Sequence, residues 1–283
     1  MRKLFILLAV ATHLSAADFV GTDLITGIIT PGLKNIPSAP TADLSGTMPG
    51  RRALCAGKAS AAFLFLKDGE SEPVPPAGVF FNRYLIANAA VVVVVHKQNA
   101  VTQLKLSELR GLFTKEARDV YLNWNDLSNG VLSEMVAPIV YAPAGAFTDE
   151  LFKGFVLEGY DYRVGVRQRL EWSAISENLT ARFGVVAIMP SMPPGTPGKV
   201  VPVADGRAGR STVAYAPDEM NIYNGDYPLR LPLYLYVRAD REKALRDALI
   251  WILSDDVAKK FRDQGLYPAP KAIRERLTQR LDR

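Results

Sequence analysis

An α/β fold is what this 283-residue sequence predicts, and three observations predict it. Strand-like apolar runs alternate with amphipathic helical ones along most of the chain, which argues for largely parallel sheets. The run Val91-Val92-Val93-Val94-Val95 is short and uninterrupted, as a strand covered on both faces would be. Hydrophobic residues make up 48% and charged residues 22%, the balance of a globular chain long enough for one large domain or two lobes.

The N-terminus reads Met1-Arg2-Lys3, an apolar run from Leu4 to Ala11, then Ser15-Ala16-Ala17. Those are the basic, hydrophobic and small-residue parts of a secretory signal, expected over residues 1–17 with cleavage after Ala16 or Ala17. The run falls short of the roughly 20 residues a membrane span needs. No Cys stands at the end of the signal to carry a lipid, so the expectation is a soluble exported protein, periplasmic in a double-membrane cell. Cys55 is the single cysteine and cannot pair internally; it reads as a small core residue. Of the formal charge of +5, Arg2 and Lys3 supply two, leaving +3 spread without a basic block. A nucleic-acid partner would want clustered Lys and Arg and is not expected.

Taken in order, residues 22–34 carry apolar positions at Leu24, Ile25, Ile28 and Ile29, a helix ended by Pro31-Gly32. Leu44-Ser45-Gly46-Thr47-Met48-Pro49-Gly50 leads into a second helix, expected over 51–57. Residues 61–66 read as a buried strand and 84–95 as a longer one. A short helix begins near Ser107, Asn123 to Leu127 is a turn, and 136–140 is a strand delivering the loop 141–147 to a helix opened by Thr148-Asp149-Glu150. A helix over 175–183, a strand over 184–189, a loop over 190–197 with four prolines, a strand over 231–237 and a helix over 241–253 complete the pattern.

Catalytic and metal chemistry find little support. Once the signal is removed His96 is the remaining histidine, at the end of a valine-rich strand, and reads as structural rather than as a general base. One His and one Cys do not make a zinc site, and neither a Walker-type nor a dinucleotide glycine motif occurs. No metal, cofactor or enzymatic activity is expected. Asp149-Glu150 are ordinary first-turn acids complementing a helix dipole.

What remains are three loop-to-helix junctions, at Gly21-Thr22-Asp23, Ser45-Gly46-Thr47 and Ala146-Phe147-Thr148. Each offers backbone N–H groups and a hydroxyl, and each alone reads as a capped helix. Converging, they would hold a small anion by neutral donors. The candidate ligand-binding residues are therefore Thr22, Asp23, Ser45, Thr47, Ala146, Phe147 and Thr148.

The order of motifs resembles the phosphate-binding periplasmic proteins of ABC transporters over most of the chain. Gly21-Thr22-Asp23-Leu24 resembles that family's first ligand loop, and Ser45-Gly46-Thr47 with Gly50 and Leu54 its second. Leu106-Ser107-Glu108-Leu109-Arg110-Gly111-Leu112-Phe113 followed by Asn123-Trp124-Asn125-Asp126-Leu127 is the most specific match. Phe183 to Ile188, Tyr227-Pro228-Leu229 with Leu233 to Val237, and the closing Gly265-Leu266-Tyr267-Pro268 are similar to the family's later motifs.

The resemblance implies a type 2 periplasmic binding protein fold, two α/β lobes with a ligand cleft between them. The lobes would be 18–92 with 226–283 and 93–225, crossing near Val91 to Val95 and returning near Asn224 to Leu231. It implies hinge closure around phosphate or a related oxyanion, delivery to an ABC permease, and a monomer.

In that register Thr148 keeps the third loop's Thr. Ala146 stands where the family has Ser, Phe147 where it has Gly and Ala142 where it has Arg, and no acid falls on the position that the family fills after the strand over 61–65. Each missing charge-assisted hydrogen bond is worth about 1.5–3 kcal/mol, leaving Lys67 or Arg83 to complete an anion site. The rival expectation is an exported sensor or interaction protein, with an apolar surface patch around Tyr141 and Phe147.

Overall fold

The computed structural model describes residues 17–127, 133–143, 146–207 and 209–282. The expected signal therefore lies outside the described residues except for Ala17, as do Ala144 and Gly145 of the third loop. Among the described residues no helix is long and apolar enough to cross a membrane.

The first lobe opens with strand β1 (Phe19–Gly21), a 3-10 turn (Asp23–Ile25), helix α1 (Thr26–Leu33), β2 (Ala42–Asp43), α2 (Thr47–Cys55), β3 (Ala61–Phe65) and β4 (Phe81–Ala90). At Val91 the chain passes into β5 (Val92–His96) of a different sheet. The second lobe continues with β6 (Leu104–Lys105), α3 (Leu106–Phe113), β7 (Ala137–Tyr141), α4 (Thr148–Phe155), β8 (Arg167–Arg169) and α5 (Trp172–Ala181). Then follow β9 (Val185–Met189), β10 (Gly198–Val200), β11 (Val203–Ala204) and β12 (Ala214–Tyr215). The chain returns through α6 (Glu219–Asn224), which packs on β4, to β13 (Arg230–Arg238), α7 (Arg246–Ile252), α8 (Asp255–Asp263), β14 (Tyr267–Pro268) and α9 (Lys271–Leu281).

The first sheet runs β14-β4-β13-β3-β1-β2, the second β10-β5-β9-β7-β8, and a small third sheet β12-β11-β6. Both large sheets are mixed, which corrects the largely parallel expectation. β1 pairs parallel with β2 and β3, and β7 with β8 and β9. The strands next to the crossover are antiparallel: β13 to both β3 and β4, and β5 to both β9 and β10. Burial on both faces of β5 holds, since all five of its residues are buried, but an uninterrupted apolar strand reports covered faces and not strand direction. The single strand expected over 84–95 is two strands for the same reason: hydrophobicity does not change at Val91, only the sheet does.

Other boundaries moved for local reasons. α1 continues through Pro31 to Leu33, with Gly32 pressed so closely on the Trp251 ring that a Cβ there would lie 1.9 Å from it. α2 begins at Thr47 instead of residue 51, which places Pro49 in the first turn, where a missing N–H costs nothing. The helix expected over 241–253 is ordered as α-helix only from Arg246. α9 carries no clear apolar stripe and was not expected. Its anchor is Arg274, buried, donating to the Ala269 and Leu253 carbonyls at 3.0 and 2.8 Å and to Asp255 at 2.6 Å.

At the crossover the two connections are tied together. Val91 N–H donates to the Leu229 carbonyl at 2.9 Å, and the buried Tyr227 hydroxyl donates to the Val91 carbonyl at 2.7 Å. Burial pushes the Tyr227 phenol well above its ordinary pKa, so it stays a donor across the stability range of the fold. Tyr227→Phe should lower unfolding stability by about 1–3 kcal/mol, because it strands a buried acceptor. Urea unfolding of the two proteins measures this, and equal midpoints would show that the bond carries no load.

Candidate functional site

Close backbone approach organises the first lobe's two candidate loops. Gly21 has φ +135°, and a Cβ there would lie 2.1 Å from the Phe63 carbonyl oxygen. Gly50 faces it just as closely: a Cβ there would lie 2.5 Å from the Gly21 Cα. The Gly46 N–H donates to the Gly21 carbonyl at 2.7 Å and the Thr22 N–H to the Phe63 carbonyl at 3.0 Å. The first and second loops are thereby sewn to each other and to the end of β3. Only residues without a side chain allow that spacing.

Between the lobes lies a cleft of 740 Å³. Its first-lobe wall is Asp23, Leu24 and the turn Asp263-Gln264-Gly265 after α8. Its second-lobe wall is Tyr141, Pro143, Ala146, Phe147 and Glu150 around the start of α4, together with Pro190, Ser191 and Pro193 after β9. Of the seven expected site residues, Asp23, Ala146 and Phe147 line this space together.

Thr22 and Thr148 stand behind the lining, each 1% exposed. The Thr22 hydroxyl accepts from the Leu24 N–H at 3.4 Å and so caps the 3-10 turn. The Thr148 hydroxyl is buried with no hydrogen-bond partner among the described residues, and α4 begins with no side-chain cap. Ser45, exposed, and Thr47, half-buried, lie outside the lining.

Phe147, a residue the sequence singles out, has a partner that the sequence does not indicate. Its ring meets Phe65 edge-on, with centroids 5.3 Å apart, so an aromatic pair joins the end of β3 in one lobe to the start of α4 in the other. Tyr141 packs against Trp172 within its own lobe, centroids 5.9 Å apart. Both residues are half-buried, each against an aromatic partner.

Lys67 and Arg83 do not complete the site. The Lys67 ammonium sits over the Phe155 ring, outside this lining, and Arg83 stacks on Tyr234 and pairs with Glu72. The described lining carries carboxylates at Asp23, Glu150 and Asp263 and no cationic side chain. His96 ends β5, where its Nδ1 accepts from the Gln98 N–H at 3.0 Å and its ring meets Phe183, a structural placement.

Comparison with known proteins places this geometry. Protein SphX of Synechococcus elongatus is 26% identical over 250 residues, covering 85% of this chain and 72% of its own. Two solved structures superpose over nearly the whole chain. One is PstS from Borrelia burgdorferi, with TM-score 0.68, 13% identity and coverage of 90% and 98% of the two chains. The other, from Planctomyces limnophilus, is described as a possible phosphate binding protein, with TM-score 0.67, 16% identity and coverage of 94% and 97%. At such identities these two establish the fold alone: the type 2 periplasmic binding protein fold. The family model for the PBP superfamily domain matches residues 33–256, well over half of the chain, and the chain belongs to that family.

Proposed function

We propose that this chain is an exported solute-binding protein that captures phosphate or a related small oxyanion between its lobes and presents it to an ABC permease. The observation that carries the reading is Thr148, a buried hydroxyl without a partner at the uncapped start of α4, beside the cleft. A buried donor left unsatisfied costs about 1–3 kcal/mol, and a ligand oxygen at the helix N-terminus would recover it. The names of relatives support the solute. The neighbours include an ABC-type phosphate transport receptor from Vibrio cholerae, 16% identical with TM-score 0.59. Thr22, Asp23, Ser45, Thr47, Ala146, Phe147 and Thr148 remain the proposed set, with Ser45 and Thr47 supporting the loop. On this reading the moving bodies are 18–92 with 226–283 and 93–225, except that α6 rides with the first, and closure is a hinge motion at Val91.

The lining charge refines the ligand. With Asp23 and Glu150 present and no cation in the lining, a fully ionised oxyanion meets repulsion, whereas a protonated oxyanion can donate to a carboxylate. Phosphate affinity should therefore weaken as pH rises through the second ionisation of phosphate. Calorimetric titrations on either side of that ionisation measure it, and affinity that rises with pH would exclude this recognition mode.

Thr148→Val should leave the ligand-free protein as stable as the parent or up to about 1 kcal/mol more stable, while weakening phosphate at least tenfold. Thermal melts with and without phosphate read both effects. An unchanged ligand-induced shift in the variant would remove Thr148 from the site.

A second reading, an exported sensor that kept the fold without binding phosphate, is favoured by the Phe65–Phe147 contact, which fills interlobe space with rings beside the hydroxyls. It predicts no heat with phosphate or sulfate for the parent and none for Phe147→Gly, whereas binding regained in Phe147→Gly would identify the ring as a plug.

A further inference from the structure

A second groove between the lobes, 640 Å³ in volume, has the opposite electrostatic character to the cleft described above. Six cationic side chains line it: Lys67, Arg110, Arg118, Arg207, Arg210 and Arg230. Four carboxylates, Asp68, Asp119, Glu158 and Asp205, face the same space. Both lobes contribute, Lys67 and Arg230 from the end of β3 and the start of β13, Arg110 and Arg207 from α3 and the segment after β11.

Three of the arginines are already aimed. Arg230, 9% exposed, holds Asp68 through both carboxylate oxygens at 3.0 and 2.9 Å and donates to Asn88 at 3.1 Å. Arg207 grips Asp205 through two nitrogens at 2.5 and 2.7 Å, and Arg110 pairs with Glu158 at 2.7 Å. The Nε groups of Arg110 and Arg230 are buried with no partner among the described residues, so each guanidinium keeps a donor to offer. Asp68 and Glu158 are more than half exposed, so water can take them over if an anion displaces them. Lys67, Arg118 and Arg210 have no carboxylate within ion-pair distance among the described residues, although Arg210 still helps to hold the Asp205 carboxyl ionised, and they add to the positive field of the groove.

We propose that this groove is an anion site of its own, separate from the cleft at Thr148, and that it takes a multiply phosphorylated ligand. Planar guanidinium forks match phosphoryl oxygens two at a time, and cations spread along a groove of this size suit linked phosphoryl groups better than one tetrahedral ion. Because donors come from both lobes, occupancy would hold the lobes together independently of the first cleft.

The test titrates the full exported chain with pyrophosphate and, separately, with inorganic phosphate at low ionic strength. Pyrophosphate should bind at least tenfold tighter than phosphate to the parent. The double variant Lys67→Glu/Arg118→Glu changes two exposed side chains, should keep the parent's unfolding midpoint, and should lose at least tenfold in pyrophosphate affinity. Thr148→Val should leave pyrophosphate affinity unchanged, which separates this site from the one proposed above. The proposal is overturned if pyrophosphate binds no tighter than phosphate, if the charge-reversed variant keeps parental affinity, or if Thr148→Val abolishes both ligands together.

Discussion

The buried hydrogen bond from Tyr227 to the Val91 carbonyl, with the Val91–Leu229 backbone bond beside it, is the constraint on which the two-lobed arrangement turns. One residue, Val91, separates the last residue of the first sheet's longest strand from the second sheet. A backbone carbonyl at such a junction belongs to neither sheet's ladder, and burying it unpaired would oppose the fold. The phenol supplies the missing donor from a segment that itself leads into β13. Both crossings are thereby held in register, and the cleft and the groove inherit their geometry from that point.

From the hinge outward the molecule separates charge. Among the described residues, one opening between the lobes is lined by carboxylates and aromatic rings with no cationic side chain; the other gathers six cationic side chains against four carboxylates. The modest net charge of the chain conceals this, because the two signs nearly cancel in the sum. Field at a cleft depends on which residues the fold gathers there and not on totals. A composition without a basic block was a sound reason to set nucleic acid aside, and it carried no information about a basic groove built from distant segments.

Much of the architecture was legible because it rests on local chemistry. The alternation of strands and helices, the buried valine strand, the turn at Trp124 and the helical openings after Thr22 and at Thr148 follow from hydrophobic period and turn residues. Strand direction in β5, the split at Val91 and the whole of α9 were not legible, since they depend on long-range partners: Ala187 and Lys199 for β5, and the Leu253 carbonyl and Asp255 for Arg274. At the candidate site, sequence order singled out three loops, of which Asp23, Ala146 and Phe147 line the cleft while Ser45 and Thr47 lie outside it, and the fold gave Phe147 a partner that the sequence does not indicate. Nothing near Phe147 in sequence points to Phe65, eighty-two positions earlier.

That aromatic contact carries a kinetic consequence. A binding protein of this kind admits its solute while the lobes are apart, and rings packed across the gap weight the ensemble toward the shut form even when no solute is present. Capture then proceeds only from the fraction of molecules that have parted, so the observed association rate is the intrinsic rate multiplied by that fraction. Release is slowed by the same contact. The chain would trade speed of loading for length of retention, a compromise suited to a scarce solute or to a signal that must outlast its cause.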